Sequence, residues 1–158
     1  MFFTIDYHVI AQLLIAAVLG GAIGFEREYT GKSAGLRTYT LVALGACLFS
    51  IMSFAFSGLP NFDPSRVLSQ IVVGVGFLGA GLIIVQGGKV RGLTTAAGLW
   101  VTAAIGAAVG LRLYFIAAAG VVLSLFILWG LRKFELALAE MRERRNILKT
   151  PREKEQEE

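Results

Sequence analysis

Residues 38–57, with the sequence TYTLVALGACLFSIMSFAFS, form a run of 20 residues without a charged side chain. An α-helix rises about 1.5 Å per residue, so about 20 residues cross the ~30 Å hydrocarbon layer of a bilayer. This run therefore predicts a transmembrane helix.

The sequence contains four more uncharged apolar runs of similar length, one before this run and three after it. Overall, 56% of the 158 residues are apolar and 16% are charged. Soluble domains average about 45–50% apolar and 25% charged residues. The clustering of the charged residues between long apolar runs excludes a soluble enzyme, a nucleic-acid-binding domain, a disordered chain and a disulfide scaffold.

The predicted fold is an all-α bundle of five transmembrane helices (residues 1–131) followed by a charged, short helical cytoplasmic tail (132–158). The five spans are predicted at residues 8–25, 38–57, 67–86, 93–110 and 113–131.

The basic residues predict the orientation of these spans. Thirteen of the fifteen Lys and Arg residues fall in the 26–37 loop, the 87–92 loop and the tail from residue 132. Cytoplasmic segments carry the excess of Lys and Arg in membrane proteins. The N-terminus is therefore predicted outside and the C-terminus inside, and the net charge of +4 is explained by topology.

Small residues recur at four-residue spacing within the spans, a pattern that lets helix backbones approach closely. They indicate packing within the chain or a homodimer seam. The stretch 74–81 also matches G-x-G-x-x-G, but no strand or acidic residue accompanies it, so a tightly packed or locally unwound helix is expected. The predicted packing glycines are Gly20, Gly24, Gly74, Gly76, Gly79, Gly81, Gly106 and Gly110.

Hydroxyl side chains within the spans, such as Ser50, Ser53, Ser57 and Thr102, allow two interpretations. Serine and threonine in membrane helices usually hydrogen-bond to their own helix or to a neighbouring one. The alternative is a hydroxyl-lined path for a small solute.

Three charged patches lie at the predicted membrane edges. The inner loop 26–37 predicts an ion-pair network, and Asp63 before Pro64 predicts an N-cap with proline in the first turn. The segment 87–95 predicts a tight hairpin turn, with anion binding at the following helix start as the alternative. The inner-face candidates are Glu26, Arg27, Glu28, Lys32, Arg37, Arg91, Thr94 and Thr95, and the outer candidates are Asp63 and Arg66.

Catalytic and cofactor chemistry is not expected from this sequence. His8 is the only histidine, and no Ser/His/Asp set or Cys/His metal spacing is present. Ion-coupled transporters usually need ionisable groups within the membrane, whereas the acidic residues here stand at its edges. The residues thus argue against an enzyme, a cofactor and a mid-membrane cation site.

Several blocks together resemble the MgtC/SapB family of bacterial inner-membrane proteins. They are GGAIGFERE (20–28), KSAGLRTYTLV (32–42), DPSRVLSQIVVGVGFLGAG (63–81), VRGLTTAAGLW (90–100) and AIGAAVG (104–110). The resemblance implies a multi-pass plasma-membrane protein linked to adaptation to low magnesium and to virulence-type stress. It also implies a short form, without the C-terminal soluble ACT-like domain of longer members.

The leading functional prediction is a regulatory protein that contacts other membrane proteins. The resemblance implies the F-type ATP synthase as one partner, besides membrane lipids and a second copy of the chain, and nucleic acid is not expected. The alternative is an oligomeric Mg²⁺ transporter or channel with Asp63 at its outer mouth. A third interpretation is a protein that binds anionic lipid through Lys89 and Arg91.

Overall fold

The computed structural model describes residues 7–56 and 60–134, together with residues 138 and 141, and these are mostly helical. In chain order, the elements are α1 (Tyr7–Tyr29), α2 (Leu36–Ala55), α3 (Pro64–Ala80), β1 (Ile84–Gln86), β2 (Lys89–Arg91), α4 (Leu93–Gly110), α5 (Tyr114–Phe126) and a π-helical segment (Ile127–Leu131).

Four helical segments have the length and hydropathy needed to cross a membrane. They are Tyr7–Tyr29, Leu36–Ala55, Leu93–Gly110 and Tyr114–Phe134, and they coincide closely with four of the five predicted spans. The helix Pro64–Ala80 is apolar but has 17 residues. The prediction of a helical membrane protein is therefore confirmed.

The third predicted span, 67–86, is wrong in its boundaries. Helix α3 begins at Pro64 and ends at Ala80, and residues 84–86 form a strand that pairs antiparallel with residues 89–91. Gly87 and Gly88 have φ of 59° and 72°, which two-residue hairpin turns of type I′ require. The two strands contain the β-branched residues Ile84, Val85 and Val90, which favour strand structure although the segment that precedes the glycine pair is as apolar as a transmembrane helix.

The core lies where α1, α2 and α4 meet, and small residues bring their backbones together. A Cβ atom on Gly106 would overlap the backbone carbonyl of Ala43, and one on Gly20 would lie 2.8 Å from the Tyr39 carbonyl oxygen. A Cβ on Gly110 would lie 2.7 Å from the Cys47 carbonyl oxygen. Glycine thus permits contacts between helices that a larger residue would block.

The glycines of α3 behave differently from those of the core. A Cβ on Gly74 or Gly76 would meet no atom within 4 Å, and one on Gly79 would make ordinary contact with Ala96. Helix α3 is continuous through these glycines, and Gly81 forms its C-cap. The packing expected of Gly74 and Gly76 is therefore not found among the described residues.

The described residues from 125 onward belong to a second compact unit. Within it, the Lys133 ammonium lies 4.0 Å from the centroid of the Trp129 ring, a cation–π contact. The helical tail predicted over 132–158 lies largely outside the described residues.

Candidate functional site: a buried arginine cluster

The helix bundle has two ends, each marked by a charged residue. The Arg27 end is where α1 finishes and α2 and α4 begin, and the Asp63 end is where α2 finishes and α3 begins. Most of the predicted inner-face residues lie at the Arg27 end.

The turn after α1 determines how the Arg27 end is built. Gly31 has a φ of 67°, and its N–H donates to the Glu28 carbonyl while the Lys32 N–H donates to the Arg27 carbonyl. This is a Schellman motif, which ends a helix and reverses the chain. Helix α2 then starts beside α1, and Glu28 Oε2 accepts a hydrogen bond of 2.8 Å from the Leu36 N–H. Glu28 therefore caps α2.

Arg27 lies in the interior formed by α1 and its neighbours and is only 3% exposed. Its Nη2 donates a 3.0 Å hydrogen bond to Thr95 Oγ1 on α4, and its Nη1 lies 3.7 Å from Glu26 Oε2. Among the described residues, the Arg27 Nε and Glu26 Oε2 atoms are buried and have no hydrogen-bond partner. The positive charge of Arg27 is thus only partly compensated, and it lies in the protein interior, away from solvent.

Tyr39 completes this cluster from α2. Its side chain is fully buried, and its hydroxyl donates a 3.1 Å hydrogen bond to the Thr95 backbone carbonyl. A Cβ on Gly98 would lie 2.5 Å from this hydroxyl oxygen, so the glycine makes room for the ring. Thr95 therefore joins α1 and α2 to the first turn of α4, through its hydroxyl and its carbonyl.

The structure brings together only part of the predicted inner-face group. Glu26, Arg27 and Thr95 form the cluster with Tyr39, and Glu28 adjoins it as a cap. The other four predicted residues are exposed and do not join it: Lys32, Arg37, Arg91 and Thr94. The arrangement ties three helices together and does not resemble an open cation site.

The Asp63 end has the predicted helix cap. Asp63 Oδ1 accepts a 2.9 Å hydrogen bond from the Ser65 N–H, and Pro64 occupies the first turn of α3. Hydrogen bonding by the Ser65 side chain and backbone, with the nearby Arg66 charge, holds the pKa of Asp63 below its usual value. Ser53 Oγ donates to the Pro64 carbonyl at 2.7 Å and so links α2 to the start of α3.

Two residues that are central to the packing were not singled out from the sequence. One is Tyr39, and the other is Gln12, whose Nε2 donates to the carbonyls of Val109 and Gly110 at 2.8 and 3.0 Å. Gln12 is 2% exposed and lies four and eight residues before Ala16 and Gly20, both also buried. That four-residue spacing was the available signal that Gln12 faces the core.

The hydroxyl side chains mostly bond to their own helices. Ser50 Oγ donates to the Ala46 carbonyl and Thr102 Oγ1 to the Gly98 carbonyl, each at 2.8 Å. This agrees with the first of the two interpretations of these residues. Ser57 lies outside the described residues.

Metal ligands do not gather in the part of the chain that the structure describes. Residues 7–56 and 60–134 contain no group of three or more His, Cys, Asp or Glu side chains placed to hold an ion. The described acidic residues Glu26, Glu28 and Asp63 lie at the two ends of the bundle.

The apolar helices, the small-residue core and the buried arginine define a polytopic helical membrane protein. A family model described as the MgtC family matches residues 13–137. The chain belongs to the MgtC family, as its resemblance to MgtC/SapB proteins predicted.

Curated relatives support this assignment. The chain is 46% identical over 125 residues to YhiD of Escherichia coli strain K12, a candidate magnesium transporter by its name, covering 75% of this chain and 58% of YhiD. It is 51% identical over 115 residues to the protein MgtC of Brucella abortus, covering 73% of this chain and 48% of MgtC. It is 39% identical over 136 residues to the protein SrpB of Synechococcus elongatus, covering 78% and 75% of the two chains.

The chain spans about half to three fifths of the length of YhiD and MgtC. The shared part is the N-terminal membrane domain. No solved structure matches the chain.

Proposed function

We propose that this chain is a regulatory protein of the bacterial inner membrane that acts by contacting other membrane proteins through helix α3. Membership of the MgtC family is consistent with a regulatory role. The proposed role involves no catalysis and no cofactor.

The observation that carries this proposal is the apolar surface of α3. Its described buried residues are only Val75 and Gly79, whereas Val72, Val73 and Phe77 are exposed, Phe77 by 81%. The core of α1, α2 and α4, in contrast, is closed by backbone contacts at glycine. Helix packing in lipid depends on close contact and polar bonds, so the face of α3 that α2 and α4 leave exposed is available to a partner helix.

Site-directed photo-crosslinking in the native membrane tests this proposal. A photoreactive phenylalanine analogue at Phe77 is expected to crosslink to another integral membrane protein, with the F-type ATP synthase as the first partner to probe. The matched control is Leu14, an exposed residue of α1. Crosslinking restricted to lipid at both positions would contradict the proposal.

A second candidate function is Mg²⁺ transport, which the name of the relative YhiD favours. Mg²⁺ keeps several waters and binds one or two carboxylates, and Asp63 is the described carboxylate at its end of the bundle. Mg²⁺ uptake into sealed proteoliposomes distinguishes the two functions. Saturable uptake that is lost in Asp63→Ala would establish the transporter and overturn the regulator, whereas uptake equal to that of empty vesicles supports the regulator.

The proposed topology has five crossings with the N-terminus outside and the C-terminus inside. The basic residues Lys32, Arg37, Lys89 and Arg91 all lie on segments at the Arg27 end, which supports a cytoplasmic location for that end. Helix α3, with 17 residues, is about 25 Å long and spans most of the ~30 Å hydrocarbon layer.

A further inference from the structure

A groove of about 970 Å³ separates α2 from α3 on the surface of the first compact unit. Most of its lining is apolar and comes from both helices. The larger apolar lining residues are Leu41, Val42, Phe49, Val67, Ile71 and Leu78. The two helices meet at their ends, where Ser53 bonds to Pro64, but leave this space along their length.

Two glycines add to this space because they carry no side chain. Gly45 on α2 and Gly74 on α3 both line the groove, and a Cβ on either would meet no atom within 4 Å. In the core, by contrast, glycine permits backbone contact. The glycines that line the groove therefore leave a space that no described residue occupies.

Each end of the groove carries an arginine. Arg37 and Thr38 lie at one end, and Arg66, Ser69 and Gln70 lie at the other. Among the described residues, the only ion pair within 4.0 Å is that of Arg27 with Glu26, so neither groove arginine has a carboxylate partner there. Arg37 also lies in the first turn of α2, where the helix dipole adds positive potential.

The length and the lining of the groove fit an acyl chain of a lipid whose headgroup lies at the membrane edge. From Arg37 to Phe49 the groove extends about 18 Å, close to the ~15 Å of one hydrocarbon leaflet. Between the two ends that carry arginine its lining is mostly apolar, as an acyl chain requires.

We propose that this groove binds an anionic phospholipid, with its phosphate on Arg37 and Thr38 and an acyl chain between α2 and α3. A guanidinium binds phosphate through paired hydrogen bonds, and basic pockets between transmembrane helices bind anionic headgroups. This site differs from the exposed face of α3 and does not depend on the proposed regulatory role.

Lipid titration of the purified full chain in neutral detergent tests the headgroup contact. Dioleoyl phosphatidylglycerol is expected to bind at least tenfold more tightly than dioleoyl phosphatidylcholine, as measured by native mass spectrometry. Arg37→Gln should lower phosphatidylglycerol affinity about tenfold, because one charge-assisted contact is lost, and Arg66→Gln should leave it unchanged. Equal affinities in wild type and Arg37→Gln, or an equal loss in Arg66→Gln, would overturn the assignment.

A groove-filling variant tests the acyl-chain contact without removing a charge. Gly74→Leu places a side chain into open space in the groove, whereas Gly76→Leu adds one on α3 outside the groove lining. Gly74→Leu should weaken binding of phosphatidylglycerol at least fivefold, and Gly76→Leu should not. Unchanged binding in Gly74→Leu would contradict the proposal even if Arg37→Gln failed to fold.

Two further outcomes identify a different occupant. Thermal stabilisation by inorganic phosphate equal to that by phosphatidylglycerol would show that the headgroup alone is bound, and would overturn the lipid site. Disulfide linkage of two copies through Gly45→Cys, in a Cys47→Ser background, would show that a second copy fills the groove instead.

Discussion

Arg27 is the one charged side chain buried in the interior of the described residues. Replacing it by Met introduces an uncharged side chain of similar length but leaves Glu26 without its ion-pair partner and the Thr95 hydroxyl without its hydrogen-bond donor. Breaking such a buried pair leaves desolvated polar groups, so Arg27→Met should lower the free energy of unfolding by about 2–4 kcal/mol. Urea or SDS unfolding in mixed micelles measures this change.

The control for Arg27→Met is Lys32→Met, since Lys32 is an exposed cation five residues further along the chain. Its effect should stay within about 0.5 kcal/mol, as is usual for surface substitutions. If the two variants unfold alike, the cluster does not hold the three helices together.

Asp63 makes the stability of α3 depend on pH. Because its pKa is lower in the folded chain than its ordinary value of 3.8, its contribution is fully present above that value and disappears as pH falls through the lowered pKa. The stability difference between wild type and Asp63→Ala should therefore be constant from pH 5 to pH 8 and shrink below about pH 4. Thermal unfolding in detergent across this range measures it, and a difference that persists at pH 2 would contradict it.

The helices themselves differ in how much room their glycines leave. Gly106→Ala puts a methyl group into the Ala43 backbone carbonyl and should destabilise the protein by about 1–3 kcal/mol or more, because neither backbone can yield easily. Gly76→Ala meets open space and should be neutral or stabilise α3 by about 0.5–1 kcal/mol through helix propensity. Unfolding of the two variants in parallel provides the comparison, and equal effects would contradict the close contact of α2 with α4.

Sequence patterns predicted the helical elements better than their ends. Uncharged runs predicted α1, α2, α4 and α5, because burying a charge in lipid is costly and the runs are therefore sharply bounded. The Asp63–Pro64 cap was also predictable, since capping depends on adjacent residues. The position at which α3 ends was not predictable, because a short apolar run is compatible with both a helix and a strand.

The candidate site was only partly predictable for a related reason. Glu26 and Arg27 were visible as neighbouring charges, but their burial depends on α4, which lies about 70 residues further along the chain. Tyr39 and Gln12 carry ordinary polar groups whose partners are backbone carbonyls on α4. Backbone partners leave no trace in residue identity, so the spacing of Gln12 indicates the helix face on which it lies but not the carbonyls that it contacts.

For the whole molecule, the proposed topology makes a further prediction. In a Cys47→Ser background, Asn61→Cys should react with a membrane-impermeant maleimide added outside intact cells, while Lys32→Cys and Lys89→Cys should not. The reason is that Asn61 lies at the Asp63 end and the two lysines at the Arg27 end. Labelling of Lys89→Cys together with Asn61→Cys would mean that α3 does not cross the membrane.

The sequence by itself determined that this protein is a helical membrane protein of the MgtC family, and where its charges and apolar runs fall. Composition and short-range spacing are sufficient for this, because solvation by lipid acts on each segment separately. Only the tertiary structure decided that Arg27 and Tyr39 meet at Thr95, that Gln12 reaches α4 and that a groove opens between α2 and α3. These features depend on which helices lie side by side, and contacts between distant segments are set by packing rather than by local pattern.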